Sequence, residues 1–236
     1  MIKKQIIGVL GGMGPYASLR CYELILNESK KYSNGIKNND FPHIFIDNIP
    51  VKELTNSLES INETILTVKN EYERLKNSGI NIFIMSCNTM HLYYDKIFLD
   101  NNLCNLSLID ELAYKLVNDG YKKVGILGSI NTIKSGLYSK TLIKHGIKSI
   151  VIENDFILEK INNIILKIIG GDFILCDFDK DLLIHCLELF RKKGATGIVL
   201  GCTELPIAFN NIKTDLVLYD PLILTIKRAC EIYYNK

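Results

Sequence analysis

Residues 83–91 read FIMSCNTMH, and residues 198–206 read IVLGCTELP. In each, an apolar run stops at a cysteine and small polar groups follow at once: Asn88 and Thr89 after Cys87, Thr203 after Cys202. A thiol ionises at about pH 8.5, close enough to neutrality to give or take a proton, and its thiolate is a strong nucleophile. A loop at a strand's carboxyl edge, near a helix N-terminus, exposes the sulfur and favours the anion. Two such thiols, each beside amide or hydroxyl donors, suit acid/base or nucleophilic work.

Other chemistries find less support. Cys21, Cys104, Cys176, Cys186 and Cys230 read as small core hydrophobes. The total of seven is odd and contains no C-x-x-C pair, which speaks against a disulfide framework, a zinc ribbon or a thioredoxin-type motif. No metal site is expected, because the only close Cys/His pairs are Cys87 with His91 and His185 with Cys186. A cysteine-protease reading lacks a histidine with an orienting partner beyond His91, and His43, His145 and His185 read as structural. Gly12, Gly14 and Ala17 satisfy G-x-G-x-x-A, but Asp47 comes 33 residues after Gly14, far from the spacing of a ribose-binding acid. The GGMGP segment around Met13 reads better as a tight turn with Pro15 at the first helical position, its free N–H groups able to hold a ligand carboxylate.

The elements that must position these groups alternate along the chain. QIIGVL, HIFID, NIFIMS, KVGIL, KSIVI, GIVLG and LVLY are short apolar runs separated by segments of helical period. In ETILTVKNEYERLKNSG, Ile65, Val68, Tyr72 and Leu75 share one face and Gly79 stops the helix; DLLIHCLELFRKKG is stopped by Gly194. Strands apolar on both faces and separated by helices make an α/β protein with parallel sheet. IGVLGG at residues 7–12 and VGILGS at 124–129 are 117 apart, while GINIFIMSC at 79–87 and GATGIVLGC at 194–202 are 115 apart, which suggests a duplicated unit. Ligands of open parallel sheets bind beyond the strands' carboxyl ends, so each half supplies a small-residue loop and a cysteine at that edge. If the halves face each other, two thiols meet across one cleft.

With 236 residues, 47% of them hydrophobic and 23% charged, the chain holds ample core for one large or two small domains. Its 28 basic and 26 acidic residues form no long block of one sign, so neither nucleic acid nor an anionic membrane is the expected partner; a small molecule is. Ile6–Leu10 is too short for a signal-peptide core, and no run reaches the roughly 18 apolar residues of a membrane helix. Reduced thiols point to the cytosol.

SCNTMH, GCTELP and the amino-terminal LGGMGP together resemble the cofactor-independent aspartate/glutamate racemase superfamily, specifically its aspartate racemase branch. The cell-wall glutamate racemases open with an aspartate-serine pair where this chain has Gly11 and Gly12. The resemblance implies two similar, pseudo-symmetric Rossmann-like domains, each with a four-stranded parallel sheet: residues 1–103 plus 211–236, and residues 104–210, with the active site between them. It implies a racemase that needs no pyridoxal phosphate or other cofactor. Cys87 and Cys202 are then acid/base groups on opposite faces of the substrate α-carbon, with Met13, Lys52, Asn88, Thr89 and Thr203 at the substrate. Lys52, in IPVKELT, stands nearest the place of an arginine common in the family, and Ile169 stands where many members have a lysine, with Lys167 close by. Related activities on this scaffold are hydantoin racemisation, maleate isomerisation and arylmalonate decarboxylation, the last of which needs only one of the two cysteines. A non-catalytic ligand-binding protein is the alternative from another class, and a homodimer is compatible with such a chain.

Overall fold

The computed structural model describes residues 5–33, 35, 37–52 and 58–235. They form two compact units, Met1–Ser107 with Leu222–Lys236, and Leu108–Pro221. In the first unit β1 (Ile7–Gly11), α1 (Pro15–Ser29), β2 (Ile44–Asn48), α2 (Leu58–Asn77), β3 (Ile82–Met85), α3 (Tyr94–Ile97) and β4 (Cys104–Leu106) succeed one another. The second holds α4 (Leu108–Asn118), β5 (Lys123–Gly128), α5 (Ile130–Lys134), α6 (Leu137–Lys144), β6 (Lys148–Ile150), α7 (Asp155–Ile169), α8 (Asp177–Lys192), β7 (Gly197–Gly201), α9 (Leu205–Ala208) and β8 (Val217–Tyr219). Helix α10 (Pro221–Tyr233) then returns to the first unit.

Each unit carries a four-stranded, wholly parallel sheet, in the orders β2-β1-β3-β4 and β6-β5-β7-β8. The two orders are the same pattern, as a duplicated unit requires. Strands β1, β3 and β7 are buried at every position, which explains why they read as unbroken apolar runs rather than alternating ones.

One core of the first unit gathers Ile65, Val68, Tyr72 and Leu75 of α2 with Leu10, Phe83 and Met85. Tyr72 meets Phe83 and Phe98 edge-on, with ring centroids 4.7 and 5.0 Å apart. A separate core joins Ile7, Val9, Ile82 and Ile84 to Cys21 and Ile25 of α1 and to Leu222, Ile226, Ala229 and Cys230 of α10. In the second unit α7 and α8 supply Ile161, Ile164, Ile165, Ile168, Leu183 and Phe190 to one continuous core. Each such fully buried side chain is worth about 1.5–3 kcal/mol relative to exposure. Gly79 and Gly194 end α2 and α8 with φ of 90° and 79°, a left-handed backbone that glycine adopts without strain.

Two sequence expectations need correction. The chain changes unit after Ser107 and after Pro221 rather than after residues 103 and 210, because Cys104–Leu106 pairs with β3 and Val217–Tyr219 pairs with β7. Among the cysteines expected in the core, Cys21, Cys186 and Cys230 are fully buried, and burial pushes the Cys186 and Cys230 thiols up to about 12 and about 11. Cys104 is only half-buried, and Cys176 is exposed, because it sits at the N-cap of α8 outside the core. No helix among the described residues is long and apolar enough to cross a membrane.

Candidate active site

In each sheet the order reverses between the two central strands, β1 with β3 and β5 with β7, and at such a switch point the following loops diverge and leave a crevice. The glycine turn and the cysteine loop of each unit therefore leave the sheet side by side.

In the first unit Leu10 is in register with Met85, and the Ser86 N–H still donates to the Leu10 carbonyl at 3.0 Å. The chain then breaks away through Cys87, 9% exposed, and Asn88 into a 3₁₀ turn over Thr89–Tyr93. Asn88 is buried and Thr89 half-buried. His91 Nδ1 lies 2.8 Å from the Cys87 carbonyl oxygen. A carbonyl only accepts, so Nδ1 carries the proton and the imidazole fastens the cysteine's backbone. The ring stacks on Tyr94, whose hydroxyl donates to the Asn105 carbonyl at 2.6 Å.

The opposing turn is built from glycine. At Gly12, φ is 86° and an added Cβ would lie 2.4 Å from both the N and the O of Ile49; at Gly11 it would lie 2.4 Å from Ser18 Oγ. Ser18 Oγ accepts from the Gly12 N–H at 2.8 Å and donates to the Gly14 carbonyl at 3.1 Å. Pro15 opens α1, as expected, and Met13 is half-buried against the α2-side core. Asp47, the misplaced acid of the dinucleotide pattern, is bound by Arg74 Nη2 at 2.7 Å.

The second unit repeats the arrangement with other residues. Gly128 and Gly201 are register partners at the ends of β5 and β7, and a Cβ on Gly201 would come within 3.1 Å of the Leu127 oxygen and of Tyr138. Ser129 caps α5, its hydroxyl accepting from the Thr132 N–H at 3.3 Å. After β7, Cys202, Thr203 and Glu204 turn into α9, which has Pro206 in its first turn. All three are buried, at 8%, 2% and 2% exposure. Cys202 Sγ and Thr203 Oγ1 both donate to Glu204 Oε2, each at 3.0 Å. Sequence reasoning assigned Glu204 no role; its signal was an acid two residues after the cysteine, between Thr203 and the apolar Leu205.

A family profile described as Asp/Glu/Hydantoin racemase matches residues 10–229. The chain belongs to this family. It is 23% identical to the broad specificity amino-acid racemase RacX of Bacillus subtilis over 228 residues, 97% of this chain and 98% of that one. Its fold is similar to that of an aspartate racemase homologue from Pyrococcus horikoshii, with a TM-score of 0.79 and 25% identity over 99% of this chain and 100% of the other. It is likewise similar to the Picrophilus torridus aspartate racemase, with a TM-score of 0.78 and 21% identity over 98% and 95% of the two chains.

The residues marked for substrate recognition divide. Cys87, Asn88 and Thr89 stand together in the first unit and Cys202 and Thr203 in the second, each group beside its glycine turn. Lys52 lies after β2, 69% exposed at its side chain, with Nζ 2.8 Å from Glu63 Oε2. An exposed pair of this kind is worth only about 0–1 kcal/mol, so the ammonium is readily lent to another carboxylate. Ile169 ends α7 and packs on the second core, while Lys167 is held by the buried Asp179 at 2.5 Å, a pairing that raises the lysine's pKa. Among the described residues, no three His, Cys, Asp or Glu side chains cluster as a metal site would need.

Proposed function

We propose that the chain is a cofactor-independent amino acid racemase in which Cys87 and Cys202 act from opposite faces of the substrate α-carbon. The observation that carries this reading is the repetition: each unit has the same sheet and the same switch point, with a glycine turn after one central strand and a cysteine just after the other. A decarboxylase of this scaffold needs one thiol, and a mere binding protein needs neither, so the retention of both speaks for inversion.

The chemistry follows from the groups available. One sulfur, as thiolate, removes the α-proton; the other, as thiol, delivers a proton to the opposite face, and their states are exchanged when the direction reverses. Negative charge then builds on the α-carbon and spreads into the substrate carboxylate. Asn88 and Thr89, with the N–H groups of the Met13 turn, are the donors proposed to meet it, fixed in advance by the turns that carry them; Thr203 joins them only by releasing its hydroxyl from Glu204. Lys52 is proposed to hold a side-chain carboxylate as a point charge, without the two-pronged grip an arginine gives.

The proposed substrates are aspartate, glutamate or a related amino acid. The similarity to RacX, whose name carries broad specificity, favours a range rather than one substrate. Seven free cysteines fit work in the cytosol, where thiols stay reduced. The test is incubation with each of the common amino acids, as single enantiomers, in deuterium oxide. Mass spectrometry should find α-deuterium, and chiral analysis inversion, with an acidic amino acid among the best. No incorporation into any of them would overturn the reading.

A further inference from the structure

The two units repeat each other in backbone but not in charge. With the offset of 115 that maps Cys87 onto Cys202, Glu204 corresponds to Thr89. Two residues after its cysteine the second unit thus carries a carboxylate, and the first a neutral hydroxyl. That carboxylate is 98% buried, and its Oε2 receives both the Cys202 thiol and the Thr203 hydroxyl at 3.0 Å. In the first unit, the Cys87 carbonyl receives the His91 imidazole N–H at 2.8 Å.

An anionic acceptor at this distance acts differently on the two forms of a thiol. The S–H form donates to it; the thiolate loses that bond and faces a like charge in a site with little water to screen it. We propose that Glu204 is a positioning residue that keeps the proton on Cys202 in the resting enzyme, so that Cys202 begins a cycle as the acid and Cys87 as the base. In that direction Cys87 takes the substrate's α-proton and Cys202 gives its own proton to the opposite face. Cys87 then releases a proton to solvent and Cys202 regains one, restoring the resting form with no net change. A fold that makes the two faces alike is in this way polarised by one side chain. The two directions keep equal kcat/KM, as an equilibrium constant of one demands, while the free enzyme is poised for the enantiomer whose hydrogen faces Cys87.

The inference rests on the two-thiol reading, but it can be tested without substrate. Iodoacetamide is added to the full chain at pH 7, and modification of each cysteine peptide is followed by mass spectrometry, with exposed Cys176 as internal standard. As whole residues Cys87 and Cys202 are buried to nearly the same degree, at 9% and 8% exposure, so the change in each cysteine's rate between parent and variant reports its thiolate fraction. In the parent, Cys87 should be modified at least about tenfold faster than Cys202, the difference that one unit of pKa makes. Glu204→Gln should speed Cys202 by about the same factor while leaving Cys87 near its parent rate, and Glu204→Asp, which keeps the charge, should hold Cys202 slow. Equal rates in the parent, or a Cys202 no faster in Glu204→Gln, would overturn the proposal. Should Glu204→Gln not fold, the parent's ratio decides alone. A chain that racemises nothing yet shows the ratio would separate failure of the racemase reading from failure of this one.

Discussion

The hydroxyls of Ser18 and Ser86 meet at 3.3 Å beneath the first glycine turn, joining the start of α1 to the residue just before Cys87. Ser18 also accepts from the Gly12 N–H, and Ser86 reaches the Leu10 carbonyl at 3.5 Å, so one buried pair registers the turn against the cysteine loop. Ser18→Ala leaves the Gly12 N–H without this acceptor. The expected cost is about 1 kcal/mol, the net worth of a hydrogen bond to a half-buried donor, read as a lowered urea midpoint at unchanged slope. Gly11→Ala should cost at least as much, since its Cβ would collide with the same hydroxyl. An unchanged midpoint in both would show that the pair does not hold the turn.

The division of labour between the thiols is open to isotope exchange. Cys87→Ala and Cys202→Ala should each abolish net inversion, because the planar intermediate then receives no proton from one side. The thiol that remains still removes and returns a proton on its own face. Each variant should therefore exchange the α-hydrogen of one enantiomer only, with retention, and the two variants should choose opposite enantiomers. Exchange of the same enantiomer by both, or racemisation by either at the parent rate, would count against opposed bases.

Lys52 offers a test of substrate recognition. Lys52→Ala should raise KM for aspartate and glutamate by about tenfold or more, the weight of one charge-assisted hydrogen bond, while alanine is processed as before. Because its pairing with Glu63 is exposed, the same change should shift thermal stability little. Equal impairment of acidic and neutral substrates would remove Lys52 from recognition.

Chemical treatment separates thiol from metal chemistry. Dialysis against a chelator should leave the rate unchanged, and an alkylating agent in excess should abolish it, with loss of activity tracking modification of Cys87 or Cys202 rather than of exposed Cys176. Activity lost to chelation and restored by zinc would exclude a mechanism that runs on the two thiols alone.

Much of the fold was legible because wholly buried parallel strands leave an unmistakable signature: IIGVL, IFIM and GIVLG are runs that only a two-sided core can absorb. The α2 face was equally plain, since Ile65, Val68, Tyr72 and Leu75 recur at helical spacing and are all buried. Strand β4 was missed from the pattern because Cys-Asn-Leu is three residues long and half-exposed, too short for any periodicity to show. The cysteine loops stood out by residue type, and His91 by its closeness to Cys87, but the roles of Glu204 and His91 did not, because the bonds each makes to its cysteine depend on how a tight turn folds side chains back, which spacing does not reveal.

The return of α10 has a consequence for biosynthesis. The second unit is one uninterrupted stretch, Leu108–Pro221, and can fold as soon as it leaves the ribosome. The first unit cannot close: the side of its sheet lined by Ile7, Val9, Ile82 and Ile84 awaits Leu222, Ile226, Ala229 and Cys230, which are translated after the whole of the second. Domains are generally expected to mature in the order of their synthesis. Here the order is inverted, and the half bearing Cys87 spends translation with an apolar flank uncovered, the phase in which a nascent chain most needs a chaperone.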